Sequence, residues 1–280
     1  MNPGGAWGLR FDDLDVPARL LVPAGPDWTS VALEVAVEVT VAGRDSSAAP
    51  GWGPDRASYS LFGGHRIEIR RDPPGVRLLL GSPTPAECVL APHLSSAAST
   101  IAYWGGRCAM HAGAFEHDGG VWLLLGDKGD GKSSTLGWMA KAGLAVLADD
   151  LVVVDRDQVF AGPRCVDLRR DAAASLSAGR DLGIIGTRER WRIDLPPCPP
   201  SLPLRGTIQL GWGKASVSSV PAGERLGLLI EHRALALPWT NAESLLDLAA
   251  RPTLSWRRPR GWETAASSIE ALLAHLNGIL

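Results

Sequence analysis

The stretch VWLLLGDKGDGKSSTLGWMAKAG, residues 121–143, decides how the rest of the chain is read. An apolar run, Val121 to Leu125, meets a glycine-rich loop; a helix-like run, about Lys132 to Ala142, follows and closes at Gly143. A short apolar run bounded by glycine reads as a buried strand, and a glycine just past a helical run supplies the left-handed residue that ends it. Gly126, Gly131, Lys132 and Ser133 satisfy the spacing GxxxxGK[ST]. In such a loop the amides surround phosphates, the lysine neutralises β and γ oxygens, and the hydroxyl ligates magnesium. The helix start adds its partial positive charge. The spacing therefore calls for ATP and Mg2+, held by Gly126, Asp127, Lys128, Gly129, Asp130, Gly131, Lys132, Ser133 and Ser134. The competing reading is a glycine-rich turn with no ligand.

Downstream, LAVLADD predicts a strand over Leu144 to Ala148 that ends in the pair Asp149 and Asp150. In a β-loop-α-β unit the returning strand runs parallel to the first, so its C-terminal end opens onto the same edge as the loop. One carboxylate can then hold magnesium, and the other can take a proton from an attacking hydroxyl. In isolation, two aspartates would mean only a turn or a helix cap. Upstream, CAMHAGAFEHDGGVWLLLG predicts two strands joined by the turn HDGG, with His111 on the strand that pairs with the one feeding the loop. On composition alone such a histidine is a hydrogen-bonded core residue.

Taken together, MHAGAFEHDGGVWLLLGDKGDGKSSTLGWMAKAGLAVLADDLVVV, residues 110–154, resembles the catalytic core of HPr kinase/phosphorylase and its relatives. The resemblance implies an α/β P-loop core of the HPr-kinase type that transfers phosphate to a serine hydroxyl of a protein. It implies Asp149 as general base, Asp150 and Ser133 as magnesium-side residues, and His111 and Lys132 in the active site. RDLGII, 180–185, is similar to the RGLGII-type signature of the bifunctional enzymes, with Asp181 where glycine is expected; it places Arg180 near the substrate edge. An ordinary loop leading into a strand reads the same hexamer equally well. The β-rich front does not match the regulatory domain of the bifunctional enzymes. Length and texture look more like the shorter lasso-peptide kinases, whose acceptor is the C-terminal serine of a precursor peptide.

The flanks divide at about residue 90. Residues 1–90 carry strand-like runs, LEVAVEVTVAG at 33–43, HRIEIRR at 65–71 and VRLLLGS at 76–82, and DSSAAPGWGPDRAS at 45–58 reads as a loop. Residues 91–280 form the expected kinase domain, with a helix ending near Gly105, a further helix at 170–178, the strand TIQLGW, and helical runs at 241–250 and 263–277. Ile269, Leu272, Leu273 and Leu276 recur at helical spacing and predict a core-packing helix.

With 28 basic and 30 acidic residues among 280, the net charge of −2 argues against bulk electrostatic binding of nucleic acid or a membrane surface. No apolar run approaches the ~18 to 20 residues of a membrane span, and no signal-like start is present, so the expected compartment is the cytoplasm. Cys88, Cys108, Cys165 and Cys198 form no CxxC pair and read as buried or incidental thiols. Trp52, Trp191, Trp256 and Trp262 lie in polar surroundings, Trp191 in RERWRID and two of the others in SWRRPRGW. The simple reading is tryptophans capping the core and a solvated basic corner; the functional one is an arginine-and-tryptophan footing for a peptide. Three functions stay open: a serine kinase acting on a peptide or small protein, a kinase of a small metabolite alcohol, and a nucleotide-binding switch. A homo-oligomer is compatible with all of them.

Overall fold

The computed structural model describes residues 4–38, 51–235 and 242–279. The part of LEVAVEVTVAG past residue 38, the start of the 45–58 loop and residue 241 lie outside it.

The front of the chain is a six-stranded sheet in the order Leu9–Asp12, Thr29–Val37, Gly75–Leu80, Arg66–Arg70, Arg56–Ser60, Gly51–Trp52. Its first two pairings are parallel and the remaining three antiparallel. RIEIR shows the two-residue period of a strand: Ile67 and Ile69 are buried, and the charged residues between and around them are not. The helix Ser95–Trp104 packs Ala97, Ala98 and Ile101 beneath this sheet, in an apolar cluster that also takes in Val153, Phe160 and Cys165. That cluster holds residues from both sides of position 90.

The centre is a nine-stranded mixed sheet. The strand Gly120–Leu125 lies in its middle, antiparallel to Gly113–His117 and parallel to the long strand Ser201–Trp212. Every residue of it is buried, which explains its unbroken apolar sequence: both faces are covered by helices. Trp122 and Leu124 face a layer built from Leu136 and Met139 of the helix Lys132–Lys141 and from Ile269, Leu272 and Leu276 of the helix Ala265–Asn277. Val121, Leu123 and Leu125 face the opposite layer, with Leu228 and Leu229 of the helix Ala222–Glu231 and Leu245 and Leu248 of the helix Ala242–Ala250. A three-stranded sheet, Cys165–Leu168, Arg188–Asp194 and Arg180–Ile185, flanks this core.

The expected pair of strands around the HDGG turn is in fact three: Cys108–Met110, Gly113–His117 and Gly120–Leu125. The turn itself is as read, with Asp118 and Gly119 both at positive φ (49° and 71°), the backbone that suits a two-residue hairpin. The correction concerns His111. It falls in the break where the chain leaves Val152–Asp155 as pairing partner and joins Gly120–Leu125 and Val146–Ala148. The strand Val146–Ala148 runs in the same direction as Gly120–Leu125, as expected, but Gly113–His117 lies between them.

Candidate active site

Backbone geometry shapes the glycine-rich loop before any side chain does. Gly129 and Gly131 have φ of 106° and 79°, a conformation that a side chain resists, and Gly131 leads directly into the helix Lys132–Lys141. Within the loop, the Asp127 amide donates to Asp130 Oδ2 (2.8 Å) and the Asp130 amide to the Asp127 carbonyl (3.2 Å). The Lys132 ammonium is nearly buried and donates to the Gly126 carbonyl and, at 3.4 Å, to that of Asp127. Burial lowers its pKa, while the carboxylates of Asp149, Asp150, Asp130 and Asp127 act in the opposite direction.

The two consecutive aspartates make separate contacts. Ser133 Oγ donates to Asp149 Oδ1 at 2.9 Å. Asp150 sits at φ 71° in a tight turn closed by the Leu151 amide on the Asp149 carbonyl (2.9 Å), and its carboxylate lies 3.3 Å from His111 Nδ1. The same nitrogen is 3.1 Å from the Asp150 carbonyl, and the His111 amide donates to the carbonyl of the buried His232 (2.7 Å). Asp149 keeps a little solvent exposure but is otherwise enclosed by protein. Burial, reinforced by the Asp150 charge and opposed by the Ser133 hydroxyl, raises its pKa from 3.8 to about 7.

A cavity of about 750 Å³ opens onto this edge. His111, Asp127, Lys128, Gly129, Gly131, Lys132, Ser133, Ser134 and Asp150 all line it; Gly126, Asp130 and Asp149 stand just behind that surface. The sequence-predicted residues therefore meet in one place, with one exception. Arg180 does not line the cavity: it is bound through both terminal nitrogens to the Glu87 carboxylate (2.9 and 2.6 Å), so its position at the substrate edge is corrected to an ion pair between the three-stranded sheet and the front of the chain. RDLGII is the strand Arg180–Ile185, an edge of that sheet.

The basic corner is also corrected. SWRRPRGW is not wholly solvated: Thr253–Arg258 is a strand parallel to Ser201–Trp212, Trp256 and Arg258 are buried, and Arg258, Arg260 and Trp262 line the cavity. Arg258 braces the glycine loop, donating to the Asp130 carbonyl (2.6 Å) and to Thr135 Oγ1 (3.0 Å). Its guanidinium lies 4.2 Å from the ring centre of Trp212 and 5.1 Å from that of Trp256, and Trp212 Nε1 in turn donates to the Gly129 carbonyl (3.3 Å). Burial lowers the Arg258 pKa to about 10. Trp52 and Trp191 pack against the core as expected, and Trp262 is exposed at the cavity wall.

Arg188 and Arg190 of RERWRID, read in the sequence as part of an arginine-and-tryptophan footing, also line the cavity, together with Asp167, which the sequence did not single out. Arg188 and Arg190 alternate with Glu189 and Trp191 in the strand RERWRID, so the period-2 spacing puts the arginines on one face, and Asp167 lies on the neighbouring strand Cys165–Leu168 opposite Arg192. The four cysteines are free, three of them buried. No helix is long and apolar enough to cross a membrane among the described residues.

No family model and no curated protein matches the chain. Among solved structures it is similar to the Hpr(Ser) kinase/phosphatase from Coxiella burnetii, with 12% identity and a TM-score of 0.32, over 61% of this chain and 99% of that one. A likeness at that level carries no argument about what this chain does.

Proposed function

We propose that this chain is an ATP-dependent kinase that phosphorylates a serine hydroxyl of a peptide or small protein. The observation that carries the reading is the convergence, on one edge of one cavity, of Lys132, the Ser133–Asp149 pair and the His111–Asp150 pair. The loop amides and Lys132 would hold the β and γ phosphates. The hydroxyl and carboxylate of Ser133 and Asp149 are hard oxygen donors placed side by side, which fits a magnesium ion that takes one or two protein ligands and its remainder from phosphates and water. Bound there, the ion would neutralise charge on the phosphates.

This division of labour reverses the one that the resemblance implied. Asp149 is tied to the serine of the phosphate loop, whereas Asp150 faces the cavity beside His111 and is the carboxylate that an acceptor hydroxyl can reach. His111 orients Asp150. A nucleotide-binding switch needs one carboxylate for the metal, and the second has no role in it.

The acceptor we put first is a serine at the end of a ribosomal precursor peptide, because the arginines Arg188, Arg190 and Arg260 and the tryptophans Trp212 and Trp262 that line the cavity offer contacts beyond the reacting group. The test is intact-mass spectrometry of a serine-ended peptide incubated with the protein, ATP and Mg2+, beside free serine and simple alcohols. Phosphate on the peptide alone supports the reading; equal rates on the small molecules establish a metabolite kinase, and no transfer to any of them leaves nucleotide binding only.

A further inference from the structure

We propose that Arg188 is a cation that contacts the transferred phosphoryl group. The inference rests on the kinase reading above and adds a catalytic residue to it.

The strand Arg188–Asp194 carries arginines at 188, 190 and 192, positions that share one face. Two of the three are paired with one carboxylate. Arg190 pairs with Asp167 Oδ2 at 3.1 Å, and Arg192 holds both oxygens of Asp167 at 2.8 and 2.9 Å. Arg188 stands at the cavity end of the row, and among the described residues its guanidinium has neither a hydrogen-bond nor an ion-pair partner. A partly buried, unpaired guanidinium is costly unless an anion meets it.

Its surroundings identify that anion. Burial and the neighbouring charge of Arg190 lower the Arg188 pKa, and the carboxylates that oppose them are Asp149, Asp150 and Asp167. Asp167 is already bound to Arg190 and Arg192, so the charges left within range of Arg188 are the two that mark the transfer point. A phosphoryl group there would meet Lys132 and the ion held by Ser133 and Asp149, with the Asp150 carboxylate beside them. Arg188, within range of both aspartates and lining the same cavity, is the further cation that such a group would contact. In the step, the acceptor hydroxyl oxygen bonds to the γ-phosphorus while the bond from that phosphorus to the β,γ-bridging oxygen breaks. The bridging electron pair leaves with ADP, and the hydroxyl proton passes to Asp150. Negative charge spreads over the equatorial oxygens in this transition state, and a guanidinium fits them in a planar, two-point manner that an ammonium does not.

The experiment compares the wild type with Arg188→Ala and Arg188→Lys, each checked for an unchanged melting temperature. Affinities for Mg-ADP and for Mg-ADP with aluminium fluoride are measured by calorimetry, and transfer from ATP to a serine-ended peptide by mass spectrometry. The expected result is Mg-ADP affinity within about threefold of wild type, loss of the extra affinity for the fluoride complex, and kcat lower by about 10³-fold or more, with partial recovery on adding guanidinium. Equal kcat in an active wild type and Arg188→Ala overturns the assignment, as does a rise in KM for the peptide alone, which would make Arg188 a contact for an acceptor carboxylate. A wild type that binds neither nucleotide complex overturns the kinase reading, and this inference with it.

Discussion

Ser133 donates its hydroxyl hydrogen to Asp149 across 2.9 Å and thereby joins the first turn of the helix Lys132–Lys141 to the end of the strand Val146–Ala148. Because Asp150 turns the other way, toward His111, two neighbouring aspartates differ in solvent exposure and in partners. Different replacements at this pair should therefore fail differently.

Asp150→Asn is expected to keep Mg-ATP binding and to lower transfer by the ~10²- to 10⁴-fold that general-base help supplies. Asp149→Asn should instead raise the magnesium concentration needed for half-maximal activity. Titrating magnesium against rate for both variants separates the roles; the opposite pattern would return the base to Asp149.

The Asp149 carboxyl also makes stability depend on pH. Its pKa is raised from 3.8 to about 7, so between those values the folded chain keeps a proton that the unfolded chain has released. Its contribution is fully present below pH about 4 and is lost as pH rises to about 7, on the order of 2 to 4 kcal/mol. Urea unfolding from pH 4 to 8 should show Asp149→Asn losing this slope. Asp150→Asn should flatten it in part, because the Asp150 charge is one of the causes of the shift.

Lys132→Ala should weaken Mg-ATP binding by about tenfold or more, since hydrogen bonds to charged groups contribute about 1.5–3 kcal/mol each. The fold should survive, because the ammonium bonds only to carbonyls of its own loop and burial disfavours its charge. Calorimetry with Mg-ATP and a melting curve check both halves; unchanged affinity would remove the loop from nucleotide binding.

Arg258→Ala should destabilise the chain by about 2–4 kcal/mol, since it removes two hydrogen bonds to the loop and its helix and empties the space between Trp212 and Trp256. Arg258→Lys should recover only part of this, because an ammonium cannot hold the Asp130 carbonyl and Thr135 while lying flat against an indole. Denaturant midpoints of both variants provide the measurement.

The buried pair Asp167–Arg192 contributes in the opposite pH direction. Burial alone would raise the Asp167 pKa, but the bonds and charge of Arg192, with Arg190 beside it, hold it below 3.8. Its stabilisation is present above pH about 4 and is lost as pH falls through the lowered value. Arg192→Ala should cost about 3–5 kcal/mol by leaving Asp167 charged and half-paired, and thermal melts at pH 7 would show it.

What the sequence determined by itself is local. The loop, the helix behind it, the hairpin turn at Asp118 and Gly119 and the aspartates at the end of their strand are all legible, because each depends on residues a few positions apart whose backbone demands are read directly. The tertiary structure decided the rest. His111 belongs to a break between strands, and nothing local to MHAG reveals that the pairing partner changes there. Arg180 resembles a substrate contact in sequence, yet Glu87, 93 residues away, claims its guanidinium. Arg258 reads as part of a solvated corner until a parallel pairing with Ser201–Trp212 carries it 128 residues back to Asp130 beneath the loop. Side-chain periodicity fixes which face a residue takes, but which distant chain covers that face depends on strand order, and strand order is settled by the free energy of packing the whole core.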